Sequence, residues 1–390
     1  MRMESEEKTA AAEDKIYVTQ PSMPPLDEYV VYLEKIWENK WLTNKGEFHQ
    51  KLEAELADFL GVKYVSLFSN GTLALLVSLQ ALRVSGEVIT TPYSFVATSN
   101  SLLWNGIKPV FCDVEPETYN ISPEKIEFLI TKNTTAILPV HVYGYPCDVN
   151  KIGYLADTYG LKVIYDACHA FDVKIKGQSI LDFGDVSVLS FHATKIFTTM
   201  EGGAIITNDE KLKKRIDFLK NFGIANETTV IAPGINAKMN EAQAAFGLLQ
   251  LKYVRQNIAK RKVVTERYRA QLAGIPGIRF LTEIPDVVHN YSYFPIFVDE
   301  DIYGCSRDEL FEYLRSKNII SRRYFYPLIS SFPMYRTLES AQKLPVAERA
   351  AAQVICLPLY PDLESEKVDL ICDIIRHPEI INQHLVLATA

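Results

Sequence analysis

No apolar run in this 390-residue sequence approaches the roughly 18 residues that a membrane-crossing helix needs. The opening stretch, MRMESEEKTAAAEDK, lacks the apolar centre of a secretion signal. It reads as a mobile tail over residues 1–15 of a cytoplasmic protein. Basic blocks are missing too. A net charge of −7 with no local block to offset it argues against binding nucleic acid or an anionic membrane surface. Six cysteines (Cys112, Cys147, Cys168, Cys305, Cys356 and Cys372) are scattered without one C-x-x-C pair. That spacing suits free thiols in a reducing compartment and speaks against a disulfide frame or a zinc site, so no metal is expected. No G-x-G-x-x-G follows an early strand, which counts against a nicotinamide dehydrogenase. Internal repeats and low-complexity segments are absent.

What is present is ordinary in bulk, with 48% hydrophobic and 23% charged residues and enough chain for two domains. The spacing predicts a short strand at 16–19, a helix from Leu26 through Trp37, and a second helix capped by Asn44 and ended by Gly61. A rhythm follows. Strand-like runs at 64–68, 88–90, 109–112, 135–142, 162–165 and 186–191 alternate with helical runs at 72–82, 95–103, 149–159 and 209–222. Such alternation indicates an α/β domain with a mostly parallel sheet. Residues 240–273 form a long helical stretch bridging two units. Beyond it, a strand at 289–298, a helix at 307–317 and a strand at 354–359 read as a smaller α+β unit. The expected division is 16–255 and 256–390.

Open parallel sheets bind ligands beyond the carboxyl ends of their strands. Four segments place reactive side chains there. Ser69-Asn70-Gly71-Thr72 opens a helix, whose free N–H groups and threonine hydroxyl suit a phosphate as well as a plain cap. Tyr93-Ser94-Phe95 offers an aromatic to stack on a flat ring, or to fill the core. Asp166 closes an apolar strand, where burial demands a cation or donors; a pyridinium N–H is one such partner, and His169 follows three residues on. Ser190 and Lys195 flank the last strand, ahead of Gly202-Gly203. A lysine beside apolar walls should have a depressed pKa, leaving a neutral amine able to form a Schiff base. The alternative is a surface lysine before a tight Gly-Gly turn. The glycine pair would let the backbone pass close to a bound group.

With SNGTLAL, TPYSFVAT, DACHA, SFHATKIFTTMEGGA and GINAKMNEAQAAFG in this order, the chain resembles the DegT/DnrJ/EryC1/StrS group of sugar-nucleotide aminotransferases. These are fold-type I pyridoxal phosphate enzymes. The resemblance runs from about residue 16 into the C-terminal region. It implies a large domain with a mostly parallel, seven-stranded-type sheet flanked by helices, and a smaller C-terminal α+β domain. It implies Lys195 as the Schiff-base lysine, Asp166 as partner of the pyridine nitrogen, His169 near the ring oxygen and Phe95 on the ring face. Gly71, Thr72 and Ser190 would hold the phosphate. Asn236 would reach the neighbour's phosphate in a homodimer with shared active sites. Lys238 stands where the family usually has arginine, keeping the charge but losing the planar fork. Arg322, Arg323 and Tyr324 would close the sugar-nucleotide pocket, paired arginines suiting a diphosphate.

The implied activity is a two-stage transfer from L-glutamate, through pyridoxamine 5′-phosphate, to a nucleotide-linked keto sugar. His192-Ala193-Thr194-Lys195 followed by Phe197 resembles members acting at C4 of dTDP-4-keto-6-deoxyglucose. Their product is dTDP-4-amino-4,6-dideoxyglucose, a precursor of O-antigen lipopolysaccharide or other surface polysaccharide. A C3 aminotransferase on a dTDP-3-keto-6-deoxyhexose is the nearest alternative, and a non-catalytic regulator of the same family another. Family dehydratases carry histidine at the lysine position, and Lys195 argues against that activity.

Overall fold

The computed structural model describes residues 15–381. The expected tail over 1–15 lies outside them except for Lys15. The chain begins with β1 (Ile16–Tyr17), α1 (Leu26–Asn39) and α2 (Glu47–Leu60). Then come β2 (Tyr64–Phe68), α3 (Gly71–Ala81), β3 (Glu87–Thr90), α4 (Ala97–Trp104), β4 (Lys108–Phe111) and β5 (Thr134–Leu138). The alternation closes with α5 (Val149–Tyr159), β6 (Lys162–Asp166), β7 (Val186–Ser190), β8 (Gly203–Thr207) and α6 (Glu210–Leu219).

Seven of these strands form one sheet in the order β2-β8-β7-β6-β5-β3-β4. All neighbours run parallel except β8, which is antiparallel to both β2 and β7. The central strands are buried along nearly their whole length because helices cover both faces. Phe48, Leu52 and Leu56 of α2 pack on one side; Leu75, Leu79, Leu102 and Ile216 pack on the other. Helix α3 lies between the sheet, α4 and α6, so GTLALLVSLQA is apolar on nearly every side.

Helix α7 (Glu241–Leu272) runs 32 residues, about 48 Å at 1.5 Å per residue. Its capping box, with Asn240 accepting from the Gln243 N–H, starts it where the sequence predicts. One end packs on α1 and α2. The other packs on the C-terminal unit of β9 (Ile278–Phe280), β10 (Phe294–Val298), α8 (Arg307–Ser316), β11 (Ile319–Ile320), α9 (Pro345–Gln353), β12 (Val354–Leu357) and α10 (Ser365–Arg376). Strands β9, β10 and β12 make an antiparallel sheet with β10 in the middle. Strand β1 pairs in parallel with β11, so the first strand of the expected 16–255 unit sits with the C-terminal elements. Between the two units lies an aromatic junction in which Tyr93, Tyr143 and Tyr119 meet Phe297, Phe325 and Tyr335.

Two local expectations fail for the same reason, a contact from far along the chain. Asn44 does not cap α2; it adopts φ 62°, and Gly46 holds the cap position. The helix start is satisfied by Glu241, whose carboxylate accepts from the N–H groups of Phe48 (2.9 Å) and His49 (3.0 Å). A Cβ at Gly46 would stand 2.3 Å from that carboxyl carbon, so any other residue there must displace the Glu241 carboxylate. The strand expected over 289–298 begins only at Phe294. Before it, Tyr291 turns to φ 55°, while the Asn290 amide donates to the carbonyls of His169 and Phe171 (both 2.9 Å) and Ser292 Oγ to that of His169 (2.8 Å). Those bonds bend the segment away from a ladder.

Candidate active site

The carboxyl ends of β2, β3, β6 and β7 all open on one cavity of ≈ 260 Å³. Gly71, Thr72, Ser94, Phe95, Asp166, His169, Ser190 and Lys195 line it, each on the strand end where its sequence segment was placed. Tyr293, Tyr324 and Phe325 close it from the C-terminal unit. Its volume is just below the usual range of ligand cavities, about 300–1,000 Å³. A substrate much larger than a single ring system must therefore extend through the mouth.

Helix α3 starts at the cavity wall. The first N–H groups of a helix have no partner within it. Asn70 Oδ1 takes that of Leu73 (2.8 Å), leaving those of Gly71 and Thr72 to an anion. The loop is held tightly: a Cβ on Gly71 would lie 2.9 Å from the Cβ of Ser190, and one on Gly203 2.7 Å from the Gly71 nitrogen. The expectation that Gly202-Gly203 makes room for a bound group is thus corrected. Gly203 makes room for the loop that opens α3, and a Cβ on Gly202 would meet Thr199 Oγ1 at 2.0 Å.

Asp166 is 5% exposed. Its Oδ2 accepts from Thr98 Oγ1 at 2.7 Å, and its Oδ1 from the Cys168 N–H at 3.2 Å. Thr98 is itself within 2.9 Å of Ser94 Oγ. Two neutral donors orient the carboxylate without cancelling its charge, which is what a protonated ring nitrogen would need. His169 stacks on Phe325 (5.7 Å, 10°) and meets Tyr293 edge-on (5.0 Å). Its Nδ1 accepts the N–H of Tyr143 at 3.2 Å, a residue held at φ 55°. Burial, then the charge of Lys195, keeps this imidazole well below its usual pKa and neutral. With Nδ1 accepting, the proton sits on Nε2.

Lys195 Nζ donates to the hydroxyl of Tyr293 at 3.5 Å. Burial pulls the pKa of this amine down, but Tyr293, Cys168 and Asp166 act the other way and leave it above the ordinary lysine range. The depressed pKa expected from burial alone is therefore not found in this pocket. Tyr293 itself was not identified from the sequence: it lies 98 residues from Lys195, in a segment read as plain strand.

Four residues named from the sequence stand outside the cavity of this protomer. Asn236 is exposed, its backbone bridged to Asn221. Lys238 Nζ donates to Asn221 Oδ1 (2.8 Å) and lies over the Phe222 ring, with partial burial lowering its pKa. Arg323 is held by Asp308 at 2.6 Å between the rings of Phe311 and Tyr326. Arg322 is exposed and lines a separate cleft with Tyr17 and Arg315. Only Tyr324 of that trio reaches the cavity. All six cysteines are free, and among the described residues no group of His, Cys, Asp and Glu is placed to hold a metal. No helix among the described residues is long and apolar enough to cross a membrane.

Comparison with known proteins places the chain in one family. The DegT/DnrJ/EryC1/StrS aminotransferase family matches residues 27–376. A dTDP-4-amino-4,6-dideoxy-D-glucose transaminase of Escherichia coli is 56% identical over 356 residues, covering 90% of this chain and 96% of its own. One of the same description from Shigella dysenteriae is 52% identical, covering 93% and 99%. Among solved structures, DesI in the presence of its TDP-sugar product superposes with a TM-score of 0.92 at 32% identity, covering 96% of both chains.

Proposed function

Because this chain belongs to the DegT/DnrJ/EryC1/StrS aminotransferase family, we propose that it transfers the amino group of L-glutamate to C4 of dTDP-4-keto-6-deoxy-D-glucose. The product is dTDP-4-amino-4,6-dideoxy-D-glucose. The carrying observation is that the amine of Lys195 and the carboxylate of Asp166 open on one cavity beside a helix N-terminus. The choice of sugar is supported by two relatives of that name above half identity over nearly their whole length.

The family's cofactor is pyridoxal 5′-phosphate, and the residues present fit it. Bound there, it supplies a carbonyl for the travelling nitrogen and a ring into which electrons are drawn. The protein's own groups do the rest. The N–H groups of Gly71 and Thr72, with Ser190, hold the phosphate. Asp166 keeps a proton on the ring nitrogen, and His169 Nε2 donates to the ring oxygen. Lys195 holds the cofactor at rest, then carries the proton on and off the substrate carbon. Tyr143, Tyr293 and Phe325 keep water from that side. Phe95, exposed at the mouth, would pack on the ring. We assign Asn236 to the phosphate of the partner copy's cofactor, and Lys238, Arg322 and Arg323 to the sugar-nucleotide end of the site, in a homodimer whose two copies share their active sites. That arrangement suits a cavity too small for the whole substrate. The enzyme works in the cytoplasm on a surface-polysaccharide precursor.

The test is a panel of dTDP-, UDP- and GDP-linked 4-keto-6-deoxy sugars offered with glutamate, reading which accepts nitrogen and at which carbon. Amination of the dTDP substrate at C4 is expected. Amination of only a 3-keto isomer would overturn the sugar assignment. Absence of any transfer would favour a regulatory role.

A further inference from the structure

We propose that Tyr293 is the positioning residue for the Lys195 amine whenever that amine is free, its hydroxyl oxygen accepting a hydrogen bond from Nζ. The inference rests on the reading of Lys195 as the cofactor-holding lysine and goes one step beyond it.

Three observations carry it. The two groups are 3.5 Å apart at the cavity wall. Tyr293 is the partner within hydrogen-bond reach of the amine, while the Asp166 carboxylate nearby accepts from Thr98 and Cys168. The third is how the tyrosine is delivered. Segment 290–293 gives up strand geometry so that Asn290 and Ser292 can clamp the carbonyls of His169 and Phe171. That clamp ties Tyr293, which directly precedes the central strand of the C-terminal sheet, to the loop after β6 that bears His169. Its ring is fixed between His169 (5.0 Å), Tyr143 (5.7 Å) and Tyr324 (5.9 Å). A hydroxyl so fixed gives a four-carbon side chain one place to stand after release. The C-terminal unit therefore sets where the amine waits, and it favours the protonated form.

The experiment uses the full chain stripped of vitamin B6. Pyridoxal 5′-phosphate is added across pH 6 to 11 and the rate of imine absorbance is followed, then borohydride fixes the product for peptide mapping. Only the unprotonated amine reacts, so the rate-against-pH midpoint reports Lys195. Tyr293→Phe keeps the ring and removes one oxygen. It should move the midpoint down by about one unit, with a correspondingly faster reaction below it. Tyr293→His, which restores a ring acceptor, should bring the midpoint back toward wild type. Tyr291→Phe, in the same segment but bonded to Glu283, should leave it unchanged. An unmoved midpoint in Tyr293→Phe overturns the proposal. Borohydride fixation at a lysine other than 195 in the wild type overturns the underlying site assignment instead, whatever Tyr293 does.

Discussion

Lys220 and Lys195 are both withdrawn from bulk water, and they differ in their partners. Lys220 is 1% exposed, with Glu53 at 3.1 Å and Asp217 at 3.0 Å; Lys213 joins the same two carboxylates at 3.2 and 2.8 Å. Burial works against the Lys220 charge, but Glu53 and Asp217 outweigh it and raise its pKa. Lys195 has a single tyrosine hydroxyl at 3.5 Å and an open cavity in front of it. The first ammonium is buried against two carboxylates. The second is restrained by one weak bond that chemistry can exchange. Partner inventory, rather than depth or pKa direction, separates the structural lysine from the reactive one.

The contrast can be broken in several ways. Lys195→Ala should abolish borohydride-fixed vitamin B6 and lower transamination by at least about 10³-fold. Its urea midpoint should stay within about 1 kcal/mol of wild type. Lys220→Met should do the reverse, destabilising by about 3 kcal/mol because two buried carboxylates lose their main cation. Folded Lys220→Met should still fix the cofactor at Lys195. If the two variants exchanged these phenotypes, the distinction would collapse.

Acid sharpens the same contrast. Burial would raise the Asp217 and Glu53 carboxyls, but Lys220 and Lys213 hold both below their usual range. A depressed folded pKa adds stability that is present above the unfolded value, about 4, and is lost as pH falls through the folded one. Lys220→Met should therefore unfold in acid at a midpoint about one pH unit above wild type, followed by circular dichroism. The smallest expected effect is at the cap. Gly46→Ala should cost about 1–2 kcal/mol of urea stability by displacing the Glu241 carboxylate, while leaving the B6 absorbance intact.

The sequence made the scaffold legible because β/α alternation is a local signal, and strand ends follow from it. Once Asp166 and Lys195 were placed at neighbouring strand ends, a shared cavity followed. Contacts between distant segments were not legible. Asn44 has the right side chain to cap α2, yet Glu241 takes that task from 193 residues away. The alternation at 289–293 looked like strand because nothing local shows that Asn290 and Ser292 bond to the loop after β6. The Lys195 amine was misjudged for the same reason: burial is foreseeable from the strand before it, whereas Tyr293 is supplied by another unit. Asn236 and Lys238 read as site residues through the resemblance alone, and in one protomer they contact Asn221 and Phe222 or solvent.

The long-range cap on α2 has a consequence for biosynthesis. At the ribosome's pace of about 5–20 residues per second, the 193 residues separating Phe48 from Glu241 take about 10–40 s to appear. Throughout that interval the nascent helix has an unfinished beginning, and its apolar face awaits α7, a surface that chaperones bind. Slowing translation between residues 61 and 241 should lengthen that exposure, whereas slowing it before residue 47 or after residue 272 should not.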